Sequence, residues 1–146
     1  MTGEEMQAGL TRAGLNLIQQ ALSIYDSDLK LALWNRRFVE IFALPDHLAT
    51  VGARFDDTIR YLVERGEYGV VEDTEAAVAA RVQAARAFQP HYMERERPGG
   101  HWISVEGAPL PQGGWVTVYT DITEVKLQER MLRARSAELS VEVLDN

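Results

Sequence analysis

The chain has 146 residues, with 22 acidic and 15 basic side chains and a formal net charge of −7. Its length is most simply that of one domain, and a hydrophobic fraction of 46% with 25% charged residues is ordinary for a folded one. The negative charge argues against a nucleic-acid partner, because binding a duplex requires clustered lysine and arginine. The absence of cysteine excludes disulfides, thiolate metal ligands and a cysteine nucleophile.

The hydropathy of the sequence indicates a segment that lies outside the lipid bilayer. No apolar run approaches the roughly 18 residues that a membrane span requires. The acidic stretch from Met1 to Gly9 lacks the basic region of a signal peptide. We therefore expect a cytoplasmic segment without membrane contact, whether or not the parent protein is anchored elsewhere.

The N-terminal part of the chain predicts a helix followed by a hairpin and a second helix. Helical spacing extends from Glu4 to Ala21 and defines a flanking segment, residues 1–21. The runs Leu22–Asp26 and Leu29–Trp34 are typical of strands, and the Ser27-Asp28 pair between them favours a turn. Asn35 is placed to cap a helix that reaches Phe42.

Two further helices are predicted in the middle of the chain. Apolar residues recur at i, i+3 and i+4 from Phe55 to Arg65, and Gly66 suits the left-handed position that ends a helix. The next helix is predicted over Glu72–Phe88, which is rich in alanine, acidic at its start and basic towards its end.

The last third of the chain predicts three strands and a helix. The segments His91–Arg97, His101–Ala108 and Trp115–Thr120 are rich in β-branched and aromatic residues, and Pro- and Gly-containing turns separate them. A charged helical tail follows Asp121-Ile122-Thr123-Glu124. Two strands, then helices, then three strands predict an α+β domain with one five-stranded antiparallel sheet.

This order of elements resembles the PAS fold, and several local sequences carry the resemblance. Ile24–Lys30 resembles the opening hairpin, and Trp34–Phe38 resembles the junction into the first inserted helix. Pro98-Gly99-Gly100 stands where many members have Pro-Asp-Gly. Asp121-Ile122-Thr123 is similar to the motif that ends PAS domains of bacterial sensor proteins. Arg65-Gly66-Glu67-Tyr68-Gly69 is similar to a subgroup found in sensor histidine kinases and cyclic-di-nucleotide signalling proteins.

The resemblance implies a domain organisation and a function. It implies a PAS core over residues 22–122, with inserted helices on one face of the sheet and a signalling helix over 123–146 that leads towards a missing output domain. The expected role is sensory, most simply in a sensor histidine kinase of a two-component system. Enzyme activity would belong to the parent, a histidine kinase or a diguanylate cyclase, and no catalytic residue is assigned to this segment.

The residues also limit the cofactors that the resemblance suggests. Without cysteine, the cysteinyl-flavin adduct of photoactive LOV domains cannot form. Haem bound in the way known for PAS domains is disfavoured, because Glu72–Phe88 contains no histidine. The spacing of His47, His91 and His101 predicts surface or strand-edge positions and no metal site. The identity of any cofactor stays open.

One strand face supplies the candidate ligand-binding residues. Trp115, Thr117 and Tyr119 alternate along the last strand and share a face. By resemblance to flavin-binding relatives, this face would look into an interior cavity, with Ile103, Val105 and Arg95 as further candidates for its wall. Two interpretations remain open: a filled hydrophobic core, or a site for a small polar ligand.

The segment after the last strand supplies the candidate signal-transmission residues. Asp121 and Thr123 suit a helix cap, and the resemblance adds a coupling of the sheet to the outgoing helix. Val125, Leu132, Leu139 and Val143 form a weak heptad pattern, which predicts a parallel homodimer through the flanking helices or, alternatively, packing on the domain itself. Two alternative functions are a small-molecule receptor domain and a purely structural dimerisation module of a cyclic-di-GMP signalling protein.

Overall fold

A computed structural model describes residues 2–145, without the side chains of residues 8, 11, 12, 15, 16 and 140–145. Within that range the chain forms five α-helices, a short 3-10 turn at Asp46–Leu48, and five strands. The helices are α1 (Gly3–Leu17), α2 (Arg36–Phe42), α3 (Phe55–Glu64), α4 (Thr74–Arg86) and α5 (Thr123–Asp145). The strands are β1 (Ala21–Tyr25), β2 (Leu31–Trp34), β3 (His91–Glu96), β4 (Trp102–Pro109) and β5 (Trp115–Asp121).

The five strands form one sheet in the order β2-β1-β5-β4-β3, and every neighbouring pair is antiparallel. The predicted five-stranded antiparallel sheet and the α+β class are therefore confirmed. The first and last strands lie side by side at the centre of the sheet. As a result, the chain enters and leaves the core at adjacent positions.

The hydrophobic core lies between one face of the sheet and helices α2, α3 and α4. Burying one large apolar side chain contributes about 1.5–3 kcal/mol, so this layer is the main source of stability. On the opposite face of β5 the side chains are half-exposed. The core includes Leu31, Phe38, Phe42, Leu62, Val78 and Ile103, each at most 4% exposed.

Helix α3 ends in the conformation that the sequence predicts. Gly66 has a φ of +85°, and its N–H donates to the Val63 carbonyl at 3.1 Å. The next N–H, of Glu67, donates to the Leu62 carbonyl at 2.9 Å. This pair of bonds is the Schellman arrangement, which satisfies the last carbonyls of the helix and reverses the chain. The reversal determines where the residues after Gly66 lie.

The predicted start of the second strand is wrong by two residues. The Asp26 carboxylate accepts the N–H groups of Asp28 at 2.9 Å and Lys30 at 3.0 Å. Leu29, predicted to begin the strand, has a φ of +58° and lies in the turn, so β2 begins at Leu31. An aspartate that binds backbone N–H groups two and four residues ahead competes with strand pairing.

The predicted ends of two helices also need correction. Helix α1 ends at Leu17. Ala21, which was predicted to be helical, is instead the first residue of β1, where its side chain is buried at 1% exposure. Helix α4 begins later than predicted because the Asp73 side chain caps it by accepting the Ala76 N–H at 3.1 Å. It ends earlier because Phe88 has a φ of +49° and cannot continue the helix.

Candidate functional site

The structure places all six predicted ligand-wall residues on the sheet face that the helices cover. Residues directly opposite one another in an antiparallel pair share a face. Arg95 pairs with Ile103, and Val105 pairs with Tyr119. Trp115 and Thr117 share that face of β5 through their alternation with Tyr119. Trp115, Tyr119 and Arg95 nonetheless have different surroundings within the interior. Thr117, Ile103 and Val105 are buried, each at most 8% exposed.

Trp115 fills one end of the interior as a core side chain. Its ring stacks on that of His91, with centroids 5.3 Å apart, and lies 6.2 Å from that of Phe88. Gly107 lies directly beneath this ring, so that a Cβ at this position would clash with Trp115. Strand β4 therefore needs glycine at this close approach.

Tyr119 occupies the centre of the interior. Its ring stacks with that of Phe38 at 5.9 Å and meets that of Phe42 edge-on at 4.9 Å. Burial raises the pKa of Tyr119, so its hydroxyl stays neutral at physiological pH. Nearby, the buried Ser23 hydroxyl makes no hydrogen bond of ordinary geometry within the described part of the chain, although Tyr119 is close enough to interact with it.

The third region is an ion cluster around Glu67, whose side chain is 0% exposed. Glu67 Oε2 accepts from Arg95 Nη1 and from Arg97 Nε, both at 2.9 Å, and Oε1 accepts from Arg97 Nη2 at 3.1 Å. Arg65 lies 3.8 Å away. Burial favours a higher pKa for Glu67, but the hydrogen bonds and positive charges of Arg97 and Arg95 outweigh it and lower the pKa. The carboxylate is therefore ionised at neutral pH.

Tyr68 extends this cluster towards α4. The guanidinium carbons of Arg81 and Arg95 lie 3.8 Å and 4.8 Å from the centre of its ring, a cation–π arrangement. Burial raises the pKa of Tyr68, against a smaller opposing effect of the two arginines. Electrostatic interactions link the hydroxyls of Tyr68 and Tyr119 with Arg95. The polar part of the interior is thus a group of charged and hydroxyl side chains from the turn after α3 and from α4, β3 and β5.

Of the predicted wall, Arg95 joins the ion cluster and Tyr119 lies next to it. The sequence analysis assigned no role to Glu67, Tyr68, Arg81 or Arg97. Two signals could have identified them. The first is Gly66, which ends α3 and turns the following residues back over the sheet. The second is the alternation of Arg95 and Arg97 with Glu94 and Glu96, which indicates that the two arginines share the inward-facing side of the strand.

The predicted signal-transmission residues form a hydrogen-bonded joint where β5 becomes α5. Asp121 Oδ1 accepts the Thr123 N–H at 2.9 Å, as a helix cap does. Thr123 Oγ1 accepts the Trp102 N–H at 3.0 Å, and the Ile122 N–H donates to the Trp102 carbonyl at 2.9 Å. Hydrogen bonds from Thr123 lower the pKa of Asp121. The first residue of α5 is therefore bonded to the first residue of β4.

A second set of contacts holds the first two turns of α5 against the sheet. Lys126 forms an ion pair with Glu94 on β3, and its ammonium lies 5.5 Å from the Trp102 ring centre. The Arg130 guanidinium lies 5.6 Å from the same ring. Beyond these turns α5 presents apolar side chains to solvent: Leu132 is 62% exposed and Leu139 is 59% exposed. The side chain of Val143 lies outside the described residues.

The entry of the chain into the core is tied to the same region. The Gln20 side-chain amide donates to Thr120 Oγ1 at 3.1 Å. Asn35 donates to the Gln20 carbonyl at 2.8 Å and accepts the Leu22 N–H at 3.0 Å. The segment before β1, the start of α2 and the end of β5 are therefore connected through hydrogen bonds. This link places Gln20, three residues after the end of α1, next to the exit joint.

The three histidines are exposed, as predicted, and lie in separate places: in the Asp46–Leu48 turn, on edge strand β3 and just before β4. Among the described residues, no three acidic or histidine side chains are grouped so that they could hold a metal ion. Nor does the described part contain a helix with the length and apolar character needed to cross a bilayer.

Comparison with known proteins identifies the family. The family model described as "PAS fold" matches residues 15–130, well over half of the chain. The chain therefore belongs to the PAS family. Domains of this family are generally non-catalytic sensory modules. The sequence motifs had already indicated this class of protein.

Individual relatives agree with this assignment. The non-motile and phage-resistance protein of Caulobacter vibrioides is 23% identical over 128 residues, covering 88% of this chain and 14% of that protein. The PAS domain of Bordetella pertussis BvgS matches with a TM-score of 0.60 at 14% identity, covering 90% of this chain and 98% of that domain. An RNA-binding Light-Oxygen-Voltage receptor matches with a TM-score of 0.51 at 16% identity, covering 97% of this chain and 40% of that one. These structural matches show the shared fold.

Proposed function

We propose that this domain senses a change in its interior and transmits it through α5 to an output domain of a bacterial signalling protein, most simply a sensor histidine kinase. The observation that carries the proposal is the pair of bonds from Ile122 and Thr123 to Trp102. They make the direction of α5 depend on the relative position of β4 and β5. The catalytic activity belongs to the output domain.

A short path connects the interior with this joint. Tyr119, in the aromatic centre, lies two residues before Asp121 on β5 and pairs with Val105 on β4. Arg95, in the ion cluster, neighbours Glu94, whose ion pair with Lys126 holds the start of α5. A shift of either strand therefore reaches α5 through hydrogen bonds or an ion pair. Such a switch requires only that a signal favour one of two arrangements by a few kcal/mol.

Replacing Thr123 with valine is expected to loosen the joint without changing its shape. The Trp102 N–H would lose its acceptor, and the loss of about 1–1.5 kcal/mol for one hydrogen bond corresponds to roughly five- to tenfold faster amide exchange at Trp102. In a fusion of a histidine-kinase catalytic core after Asp145, we expect the autophosphorylation rate to change several-fold. Hydrogen exchange followed by mass spectrometry and a phosphorylation assay measure the two effects.

Thr50→Val is the matched control, because it makes the same substitution at an exposed position outside the joint. It should leave both the Trp102 exchange rate and the kinase rate close to those of the parent fusion. If Thr123→Val accelerates exchange but leaves the kinase rate unchanged, the joint holds the helix without transmitting a signal, and the proposal fails.

We further propose that the functional unit is a parallel homodimer formed through the flanking helices. On α1, the side chains of Met6, Leu10 and Leu17 lie on one stripe and are 54%, 68% and 85% exposed. On α5, Leu132 and Leu139 are seven residues apart and exposed. Apolar side chains at this spacing need a partner surface to be buried, and a second copy supplies the same stripes.

Leu132→Glu is expected to convert the dimer into a monomer. In a parallel dimer two glutamates would face each other across the seam, where like charges and lost apolar burial both oppose association. Light scattering measured over a series of protein concentrations follows the change. Ala137→Glu adds the same charge on the far side of α5 and should remain dimeric; a monomeric parent chain, or equal effects of both changes, would argue against this dimer.

A further inference from the structure

Helix α5 exposes a second apolar stripe besides the seam of Leu132 and Leu139. Leu127 and Met131 are 53% and 70% exposed, and Ala134, about one turn further on, is exposed as well. These three residues follow one another at intervals of four and three, the spacing of a helix-packing seam. With 3.6 residues per turn, they lie about 130° round the helix from Leu132 and Leu139. One partner helix cannot cover both stripes, so burying the second one requires a further helix.

Helix α1 carries an apolar stripe of the same kind. Met6, Leu10 and Ala13 also follow one another at intervals of four and three, and Leu17 continues the stripe four residues later. All four side chains are exposed. In the described chain, the stripe of α1 and the second stripe of α5 therefore leave each other uncovered, and a single copy buries neither of them.

The fold brings the sheet-side ends of α1 and α5 to one place. Strand β1, which follows α1, pairs antiparallel with β5, which precedes α5. The Gln20 side chain, three residues after α1, donates a hydrogen bond to Thr120 Oγ1 at 3.1 Å. Because one helix enters the core where the other leaves it, two such helices that pack together run in opposite directions.

Counting from these ends brings the two stripes into register. The end of α1 nearest the sheet is Leu17, and the end of α5 nearest the sheet is Thr123. At equal distances along an antiparallel helix pair, within one residue, each apolar residue of α1 faces one of α5: Met6 with Ala134, Leu10 with Met131, and Ala13 with Leu127. The spacing of four and three is thus complementary when one helix is reversed.

The charges along the helices favour the same arrangement. Glu4 and Glu5 lie in the first turn of α1, and Arg133 and Arg135 lie at the corresponding distance along α5. All four side chains are exposed, and none forms an ion pair with another described side chain. Antiparallel packing brings the acidic turn to the level of the two arginines, where opposite charges attract. The dipoles of antiparallel helices also attract each other.

We propose that the second stripe of α5 packs antiparallel against α1 of a second copy, so that two copies form a four-helix bundle. A second copy is the occupant because one copy leaves both stripes uncovered, and a parallel dimer through Leu132 and Leu139 places the α1 helices of both copies at the same level. This inference rests on the proposed homodimer and names the contact that completes its interface. The entry helix of one copy and the exit helix of the other would then move together.

Disulfide trapping between two co-expressed copies tests this contact, because the chain contains no cysteine of its own. One copy carries Leu10→Cys and a purification tag, and the other carries Met131→Cys without a tag. A disulfide requires Cβ atoms within about 4.5 Å of each other, so a tagged–untagged product joins α1 of one copy to α5 of the other. We expect at least fivefold more of this product than with Ala137→Cys, the matched control, which lies on α5 away from both stripes.

A chain that carries both Leu10→Cys and Met131→Cys distinguishes the two possible sources of α1. It should form a product with the mass of two chains. Loss of both thiols at the mass of one chain would show that the chain's own α1 covers the stripe, and would overturn the inference. Equal yields for Met131→Cys and Ala137→Cys would overturn it too. All three positions are exposed, so the variants should fold, which circular dichroism checks.

Light scattering separates this inference from the homodimer on which it rests. If the parent chain is dimeric and Leu132→Glu makes it monomeric, but no tagged–untagged disulfide forms, only the four-helix bundle is refuted. A monomeric parent chain would refute the homodimer and the bundle together.

Discussion

Replacing Glu67 with glutamine is expected to destabilise the domain by about 3–5 kcal/mol at neutral pH, the cost of breaking a buried ion pair by removing one partner. The substitution keeps the shape of the side chain but removes the carboxylate of Glu67, which alone among the described residues pairs with Arg95 and Arg97. Both guanidiniums would then be partly buried without a counter-charge. Urea unfolding, followed by circular dichroism and intrinsic fluorescence, measures the loss.

The pH dependence of this difference follows from the pKa of Glu67. Because Arg97 and Arg95 lower that pKa in the folded state, the carboxylate stabilises the fold above its unfolded pKa of about 4.3. The contribution is lost as the pH falls through the folded pKa. The difference in unfolding free energy between the parent chain and Glu67→Gln should therefore have its full value at pH 7 and decrease progressively below about pH 4.

Glu75→Gln provides the comparison for this experiment. Glu75 accepts a hydrogen bond from Arg60 at 2.8 Å, but its side chain is 69% exposed. An exposed pair contributes about 0–1 kcal/mol, so this variant should remain close to the parent chain. Equal effects of the two substitutions, or a gap for Glu67→Gln that stays constant down to pH 2, would show that the cluster does not stabilise the fold in the way described.

Replacing Asn35 with alanine is expected to cost about 2–4 kcal/mol, since it removes a helix cap and takes the side-chain partner from two partly buried backbone groups. Asn35 is 1% exposed. Its Oδ1 accepts the N–H groups of Phe38 at 3.2 Å and of Leu22 at 3.0 Å, and its Nδ2 donates to the Gln20 carbonyl at 2.8 Å. Chemical denaturation measures the total loss.

Two further substitutions separate these contributions. Asp73→Ala removes the cap of α4, which binds only the Ala76 N–H at an exposed position, and should cost about 1 kcal/mol. Asn35→Asp retains the acceptor and loses the donor to Gln20, so its cost should fall between the other two. We also expect faster amide exchange of Leu22 in Asn35→Ala. If Asn35→Ala costs no more than Asp73→Ala, Asn35 acts only as a cap.

The elements that the sequence predicted well are those with strong local signals. The amphipathic spacing of α3, the end of that helix at Gly66 and the cap at Asn35 depend on residues within one or two turns of each other. The alternation along β5 placed Trp115, Thr117 and Tyr119 on one face, as observed. The errors lie where a side chain binds the nearby backbone, as Asp26 does when it accepts the N–H groups of Asp28 and Lys30 and so holds the chain in a turn.

The joint was predicted in part. Asp121 and Thr123 form the cap that their residue types suggest, because the bond between them spans two residues. The bond from the Trp102 N–H to Thr123 spans 21 residues and depends on the pairing of β4 with β5. No pattern around Thr123 specifies that register.

The sequence by itself determined the class of fold, the order of strands and helices, and the absence of cysteine-based chemistry, because periodicity, turn residues and composition act locally. Only the tertiary structure decided which charges meet. Glu67 lies 28 residues from Arg95 and 30 from Arg97, and the chain reversal after α3 and the register of β3 bring them together. Burial then turns this contact into an ion cluster, because charges removed from water must be paired to be stable.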